Sequence, residues 1–256
     1  LIDNSSRLQE FPMNLQGSTA LVTGGARRVG KAIALALARE GARVAITYNT
    51  SIDQAQATVA EIERSGGHAV AYQCDQRDLA AIERLFDRLR LNFDRLDLLV
   101  NSAAIMERQP VLDITAEDWA RAMETNLRGP FFMAQAAAKW MREKGSAGNI
   151  VNIADLSALQ PWPSYLTHTI SKSGIVAMTR ALALALAPSI RVNAIAPGAV
   201  LKPEEWADER WDKLVAALPV QHGGSAEEVA EAVLFCVHTE FMTGQLLVLD
   251  GGRSLK

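Results

Sequence analysis

The chain has 256 residues, 26 basic and 29 acidic side chains, a formal net charge of −3 and 49% hydrophobic residues. That length suits one larger α/β domain with an ample core, and the scattered basic residues form no stripe of the kind that neutralises nucleic-acid phosphates, so no nucleic-acid partner is expected. Cys74 and Cys236 stand far apart with no second pair, which excludes a disulfide framework and a zinc spacing and points to a reducing, cytoplasmic compartment.

Residues 1–14, LIDNSSRLQEFPMN, lack a basic start and an apolar core; they read as a leader ahead of a single domain over 15–256. No uninterrupted apolar stretch reaches the roughly 18 residues of a membrane span, so no membrane is expected. Short β-rich runs then alternate with helical patterns. STALVT (18–23) precedes a helix over 31–40, RVAITY (43–48) one over 53–66, and HAVAYQ (68–73) one over 78–91. LDLLVN (96–101) is followed by a long helical run over 119–143, NIVNIA (149–154) by a helix over 163–187 with Ser164 as its cap, and IRVNAI (190–195) and QLLVLD (245–250) complete the strands. Most strands are nearly continuous in Val, Ile, Leu and Ala, which suits parallel strands covered on both faces. The sum is an α/β fold, a doubly wound Rossmann-like parallel sheet of about seven strands, with its ligand beyond the strands' carboxyl ends.

The loop after the first strand is TGGARRVG, Thr23 to Gly30. Glycines there allow a tight turn and a close backbone approach, and exposed N–H groups at a helix start attract a pyrophosphate. Arg28 takes the place of the middle glycine of the usual fingerprint and adds a permanent charge with a planar fork of donors. The second strand ends in Tyr48-Asn49-Thr50-Ser51. An acid at that point would bind a ribose 2′-hydroxyl and repel a 2′-phosphate; none appears before Asp53, which suits the first turn of the next helix. With Arg27 nearby, NADPH is favoured over NADH.

TGGARRVG, Cys74-Asp75, NSAA at 101–104, Asn126 in TNLRGPFF, the lysine of YLTHTISK at 165–172, RVNAIAPG and the DGG near the end together resemble the short-chain dehydrogenase/reductase family from about residue 17 onward. The resemblance implies cofactor contacts from Gly24, Arg27, Arg28, Val29, Gly30, Asn49, Thr50, Ser51, Asp75, Asn101, Ala103, Lys172, Pro197 and Gly198. The family's catalytic Asn, Ser, Tyr and Lys fall here on Asn126, Asp155, His168 and Lys172, so two of the four have changed. Arg28, Asp155 and the closing DGGRSL are similar to the pteridine reductase branch, which reduces pterins or folates with NADPH. That branch keeps the tyrosine and stacks its pterin on a phenylalanine, where this chain has His168 and Met106. The family also buries the helices matching 133–144 and 173–187 between subunits, which implies a homotetramer.

Chemistry points the same way. An ionised Asp155 has no proton for an alkoxide growing from a ketone, whereas a ring nitrogen of a dihydropterin can take a proton from water that the carboxylate holds. Tyr165, His168 and Lys172 recur at helical spacing and share one stripe. Histidine can release a proton near neutral pH, but its ring is shorter than a phenol by about 2 Å, and misplacement of that order is costly for proton transfer. An intervening water, or Tyr165 from one turn earlier, is the expected route. Arg28, Met106, Asp155 and Tyr165 are the expected substrate contacts. Trp206 and Trp211 are read as packing at the place of a substrate lid. An NADPH-dependent reductase of pterins leads, ahead of a carbonyl or 3-ketoacyl reductase and of a non-catalytic NADPH-binding protein.

Overall fold

The computed structural model describes residues 13–256 apart from 204 and 205. Residues 1–12 of the expected leader lie outside the described residues; Met13, near its end, is partly buried and packs against the core.

Seven strands form one parallel sheet: β1 (Thr19–Val22), β2 (Arg43–Tyr48), β3 (His68–Gln73), β4 (Leu98–Asn101), β5 (Gly148–Ile153), β6 (Ile190–Pro197) and β7 (Leu246–Leu249), in the order β3-β2-β1-β4-β5-β6-β7. The order reverses between β1 and β4, which opens a crevice at their carboxyl ends. Alternate residues of β1 serve opposite layers. Ala20 and Val22 pack with Ile33 and Leu37 of α1 (Arg28–Arg39), while α2 (Ile52–Arg64) adds Ile62 to that layer. Leu21 instead meets Leu85, Phe86 and Leu89 of α3 (Leu79–Asn92). Burial on both faces is why these strands read as unbroken apolar runs, and truncating Leu21, which is fully buried, would cost about 2–5 kcal/mol.

The helical run expected over 119–143 is interrupted. α4 (Ala116–Met123) passes through a π turn at Glu124–Arg128 into α5 (Gly129–Glu143), which adds Met133 and Trp140 to the layer around Leu21. Pro130 has no N–H to continue the ladder, and a Cβ on Gly129 would lie 2.7 Å from the Gln76 carbonyl oxygen, so the chain widens one turn there. Such turns re-aim side chains, and this one carries Asn126. The helix expected from Pro163 starts as a 3₁₀ turn over Pro163–Tyr165 and becomes α6 (Leu166–Leu186) with no side-chain cap, so Ser164 is not its cap. By length and composition residues 163–186 could cross a membrane; in the fold α6 lies against β6 and buries Lys172 and His168. Two helices had no counterpart in the expected pattern, α7 (Asp208–Ala216) and α8 (Ala226–His238), and α8 covers the sheet beside α1.

Candidate active site

The crevice is built from the loops that follow β1 and β4. Thr23 Oγ1 accepts hydrogen bonds from the N–H groups of Ser102 (3.0 Å) and Ala103 (3.1 Å) and ties the two loops together. Gly24 has φ +66°, and a Cβ on it would fall 2.9 Å from Ala103 Cα; only glycine meets both conditions. α1 then begins with neither a side-chain cap nor an acidic residue in its first turn, which leaves its N–H groups available to an anion. Arg28 holds a left-handed φ of 52°, a conformation costing roughly 1–2 kcal/mol for a side chain with a Cβ, and its guanidinium approaches the Lys202 carbonyl oxygen at 3.4 Å.

A cleft of about 1010 Å³ runs from this turn to the N-terminal end of α6. It brings together Gly24, Arg27, Arg28, Val29, Gly30, Asn49, Thr50, Ser51, Asp75, Ala103, Met106, Asp155, Tyr165, His168, Lys172, Pro197 and Gly198. Asp53 stands in the first turn of α2 and not in the cleft. Asp75 is held by Arg77 at 2.6 Å, and that hydrogen bond keeps its carboxyl below the usual value.

Two expected residues are corrected. Asn101 is buried between strands, its amide donating to Asn152 Oδ1 at 2.9 Å and to the Pro130 carbonyl at 3.3 Å, so it braces the sheet and does not line the cleft. Asn126 is also buried and outside the lining. Its Oδ1 accepts from Ile105 N–H at 2.8 Å, and its Nδ2 donates to the Ile105 carbonyl at 2.9 Å and to Ser171 Oγ at 3.0 Å. With every polar atom so committed, it touches nothing in the cleft and acts through Ile105.

The Ile105 carbonyl oxygen also lies 2.9 Å from His168 Nδ1. A carbonyl only accepts, so Nδ1 carries a hydrogen in both charge states and Nε2 is the nitrogen that gains or loses a proton. Nε2 is buried without a hydrogen-bond partner among the described residues and stands 3.8 Å from Asp155 Oδ2, too far for a direct bond. A polar atom in the cleft could reach both at about 2.8 Å. Burial pushes the Asp155 carboxyl up, but His168 and Ser157 outweigh it and hold the group below its ordinary value; its other oxygen caps the following turn at Ser157 N–H, 2.7 Å away. The fully buried Lys172 donates to the Ile153 carbonyl at 2.7 Å. Burial pushes its ammonium down to about 8, against the opposing pull of Asp155. The Tyr165 hydroxyl is buried and has no partner among the described residues.

Trp162, Glu107, Arg121, Arg210 and Arg253, which belong to no expected site, also line the cleft. Arg253 was visible in DGGRSL without a reason to assign it. Trp206 and Trp211, read as packing, also face the cleft.

Residues 24–254 match the family model described as enoyl-(acyl carrier protein) reductase. The 3beta-hydroxysteroid dehydrogenase 1 of Eggerthella lenta is 34% identical over 249 residues, spanning 94% of this chain and 95% of that protein. The 3-oxoacyl-[acyl-carrier-protein] reductase of Synechocystis sp. is 34% identical over 242 residues, 93% of this chain and 97% of the relative. The crystal structure of the FolM alternative dihydrofolate reductase 1 from Brucella canis, complexed with NADP, superimposes with a TM-score of 0.89 at 35% identity, covering 95% of this chain and 96% of that one.

Proposed function

Because this chain belongs to the short-chain dehydrogenase/reductase family, we propose that it is an NADPH-dependent reductase of the carbon–nitrogen double bond in a pterin or related nitrogen heterocycle. The cradle suits such a cofactor. An uncapped α1 start flanked by Arg27 and Arg28 offers donors to phosphates, and Asn49, Thr50 and Ser51 put no carboxylate where a 2′-phosphate would lie. Lys172 reaches the same cleft and would hold the ribose. The cofactor, when bound, supplies a hydride, and the protein has to orient the acceptor and furnish one proton.

The observation that carries the reading is the ionised Asp155 in the cleft 3.8 Å from His168 Nε2. Reduction of a ketone would develop alkoxide charge beside a carboxylate with no proton to give. A ring imine instead becomes an amine, and the N–H groups of the heterocycle can donate to Asp155 while the new hydrogen on nitrogen comes from His168 Nε2 or from a water held between the two. The dihydrofolate reductase from Brucella canis, with its bound NADP, supports this choice by likeness. A carbonyl or 3-ketoacyl reductase is the second reading, favoured by the Synechocystis relative. Following NADPH oxidation with dihydropterins, dihydrofolate and ketones separates them: faster ketone turnover overturns the pterin reading, and NADPH binding without turnover of any substrate makes this a non-catalytic binding protein.

We also propose a homotetramer, with Phe131, Ile170 and Leu184 on α5 and α6 covered by other copies; these side chains are exposed in the single chain. Sedimentation of a monomer would remove it.

A further inference from the structure

We propose that the outer part of the cleft is an anion subsite built from two arginine-on-tryptophan stacks, so that the preferred substrate carries a carboxylate or comparable anionic group away from its reacting bond. The inference rests on the reading of this cleft as a reductase substrate site, and names the substrate class within it.

Arg253 lies with its guanidinium carbon 5.1 Å from the centre of the Trp162 ring, and Trp162 in turn meets Tyr165 edge-on at 6.2 Å. All three line the cleft. The stack is set from the C-terminal turn. Gly251 and Gly252 take φ of +62° and +80°, and a Cβ on Gly252 would fall 2.9 Å from Pro219 Cγ. Asp250 closes the turn by accepting from Gly252 N–H at 2.9 Å and from Ser254 N–H at 2.7 Å. The residue between those two donors is therefore aimed by backbone geometry, and Arg253 is that residue. On a second stretch of wall, Arg210 of α7 sits 3.6 Å from the centre of the Trp206 ring, and the Trp206 Nε1 is buried without a hydrogen-bond partner among the described residues.

A guanidinium stacked on an indole keeps its edge of N–H donors free for a planar oxyanion. Other cations of the cleft wall are paired with acids, Arg121 with Glu107 at 2.8 Å and Asp118 at 2.7 Å and Arg77 with Asp75, while Arg27 and Arg28 flank the start of α1 and Lys172 is bound to the Ile153 carbonyl. Among the described residues neither Arg210 nor Arg253 has an acidic partner. Two stacked guanidinium groups on one cleft wall, beside a buried indole N–H that lacks a partner, make a donor set for an anion, and a neutral substituent would leave those donors without an acceptor.

The test uses two matched pairs with NADPH: dihydrofolate against dihydrobiopterin, and 4-acetylbenzoate against its amide. In the wild type the carboxylate member of whichever pair turns over is expected to have kcat/KM about tenfold higher or more, the scale of one charge-assisted hydrogen bond. In Arg253→Met, which keeps an apolar stem over Trp162, that ratio is expected to fall towards one, with Arg253→Lys in between; Arg210→Met gives an independent variant with the same direction. Equal kcat/KM within both pairs in the wild type overturns the subsite while the reductase reading stands. Failure of every substrate to turn over overturns the reductase reading instead. In that case equilibrium binding of 4-acetylbenzoate and its amide to the NADPH-loaded protein decides the subsite, equal affinities sinking it.

Discussion

His168 Nδ1 and the Ile105 carbonyl oxygen are 2.9 Å apart, and this contact fixes which imidazole nitrogen faces Asp155. Ile105 is gripped at both its N–H and its carbonyl by Asn126, which also binds Ser171, whose hydroxyl donates to the His168 carbonyl at 2.7 Å. The π turn thus positions the histidine from behind. Asn126→Ala is expected to lower stability by about 2–3 kcal/mol, since it strands buried backbone groups, and to lower kcat more than it raises the NADPH Kd. Denaturant melts and fluorescence titrations read the two effects; an unchanged kcat in a folded variant would show that Ile105 needs no such support.

Asp155 is both a cap and a charge. Asp155→Asn keeps an acceptor for Ser157 N–H while removing the charge, so the turn should survive and turnover fall by about 10²-fold, the scale of lost acid–base assistance. The NADPH Kd should stay within about twofold, because the carboxylate stands at the substrate end. The sign of its pH effect follows from a carboxyl held below its ordinary value: the stability it contributes is present above the unfolded-state value of about 3.9 and is lost as pH falls through the lower folded value. Wild type should accordingly lose more stability than Asp155→Asn on acidification below about pH 4. Parallel losses in the two proteins, by chemical denaturation, would contradict this.

All seven strands were legible from their apolar content because a doubly covered parallel sheet imposes unbroken hydrophobic runs. Helix α8 was legible too and was missed: Ser225 and Glu228 form a capping box ahead of an apolar stripe, a local signal present in SAEE. The π turn was not. It depends on Gln76 pressing on Gly129 and on Asn126 reaching Ile105, contacts between segments distant in sequence. The same reason separates Asn101 and Asn126 from the cleft, since a motif gives a residue's place on a strand or helix and not which neighbours use up its polar atoms. Arg253 stayed silent because it stacks on Trp162, which is distant in the chain, so no spacing rule links the two.

NADPH is expected to bind more tightly than NADH. Asn49, Thr50 and Ser51 line the cleft after β2, and no carboxylate stands among them. Asn49→Asp adds a negative charge at the place of a 2′-phosphate, and should weaken NADPH by about tenfold or more while sparing NADH. Fluorescence titration of both cofactors measures it. Equal affinities in the wild type would remove the argument.

Lys172 has its ammonium pushed down to about 8 by burial, so it is mostly charged at neutral pH and loses that charge within the alkaline range. If the cofactor binds the charged form, binding above that value requires uptake of a proton, and the NADPH Kd should rise about tenfold between pH 7 and pH 9. For the fold alone the sign is reversed. A buried lysine with a depressed value destabilises the folded state while charged, and that penalty is relieved as pH rises from about 8 towards 10.5. Lys172→Met should bind NADPH poorly with a pH-independent Kd over this range. A wild-type Kd that is flat from pH 7 to 9 would mean that the ammonium is not what holds the cofactor.

His168 distinguishes an imine from a ketone. Its Nε2 faces Asp155 across 3.8 Å and has no other partner among the described residues, so a proton on it can pass to a ring nitrogen lying between them, but the imidazole stops short of where a phenol would end by about 2 Å. An alkoxide has to be protonated by a donor that reaches it. His168→Tyr extends that reach and should raise ketone kcat/KM proportionately more than dihydropterin kcat/KM. His168→Phe removes the donor and the Ile105 contact while leaving Asp155 and solvent in place, and it therefore separates the two proton routes. Dihydropterin turnover that survives within about tenfold assigns the proton to water held by Asp155, whereas a loss of 10²-fold or more, with the NADPH Kd unchanged, assigns it to the histidine. Tyr165→Phe is the control for the buried hydroxyl one turn away. If Tyr165→Phe alone abolishes turnover while both His168 variants remain active, the displaced tyrosine is the acid and the histidine serves only to hold Ile105.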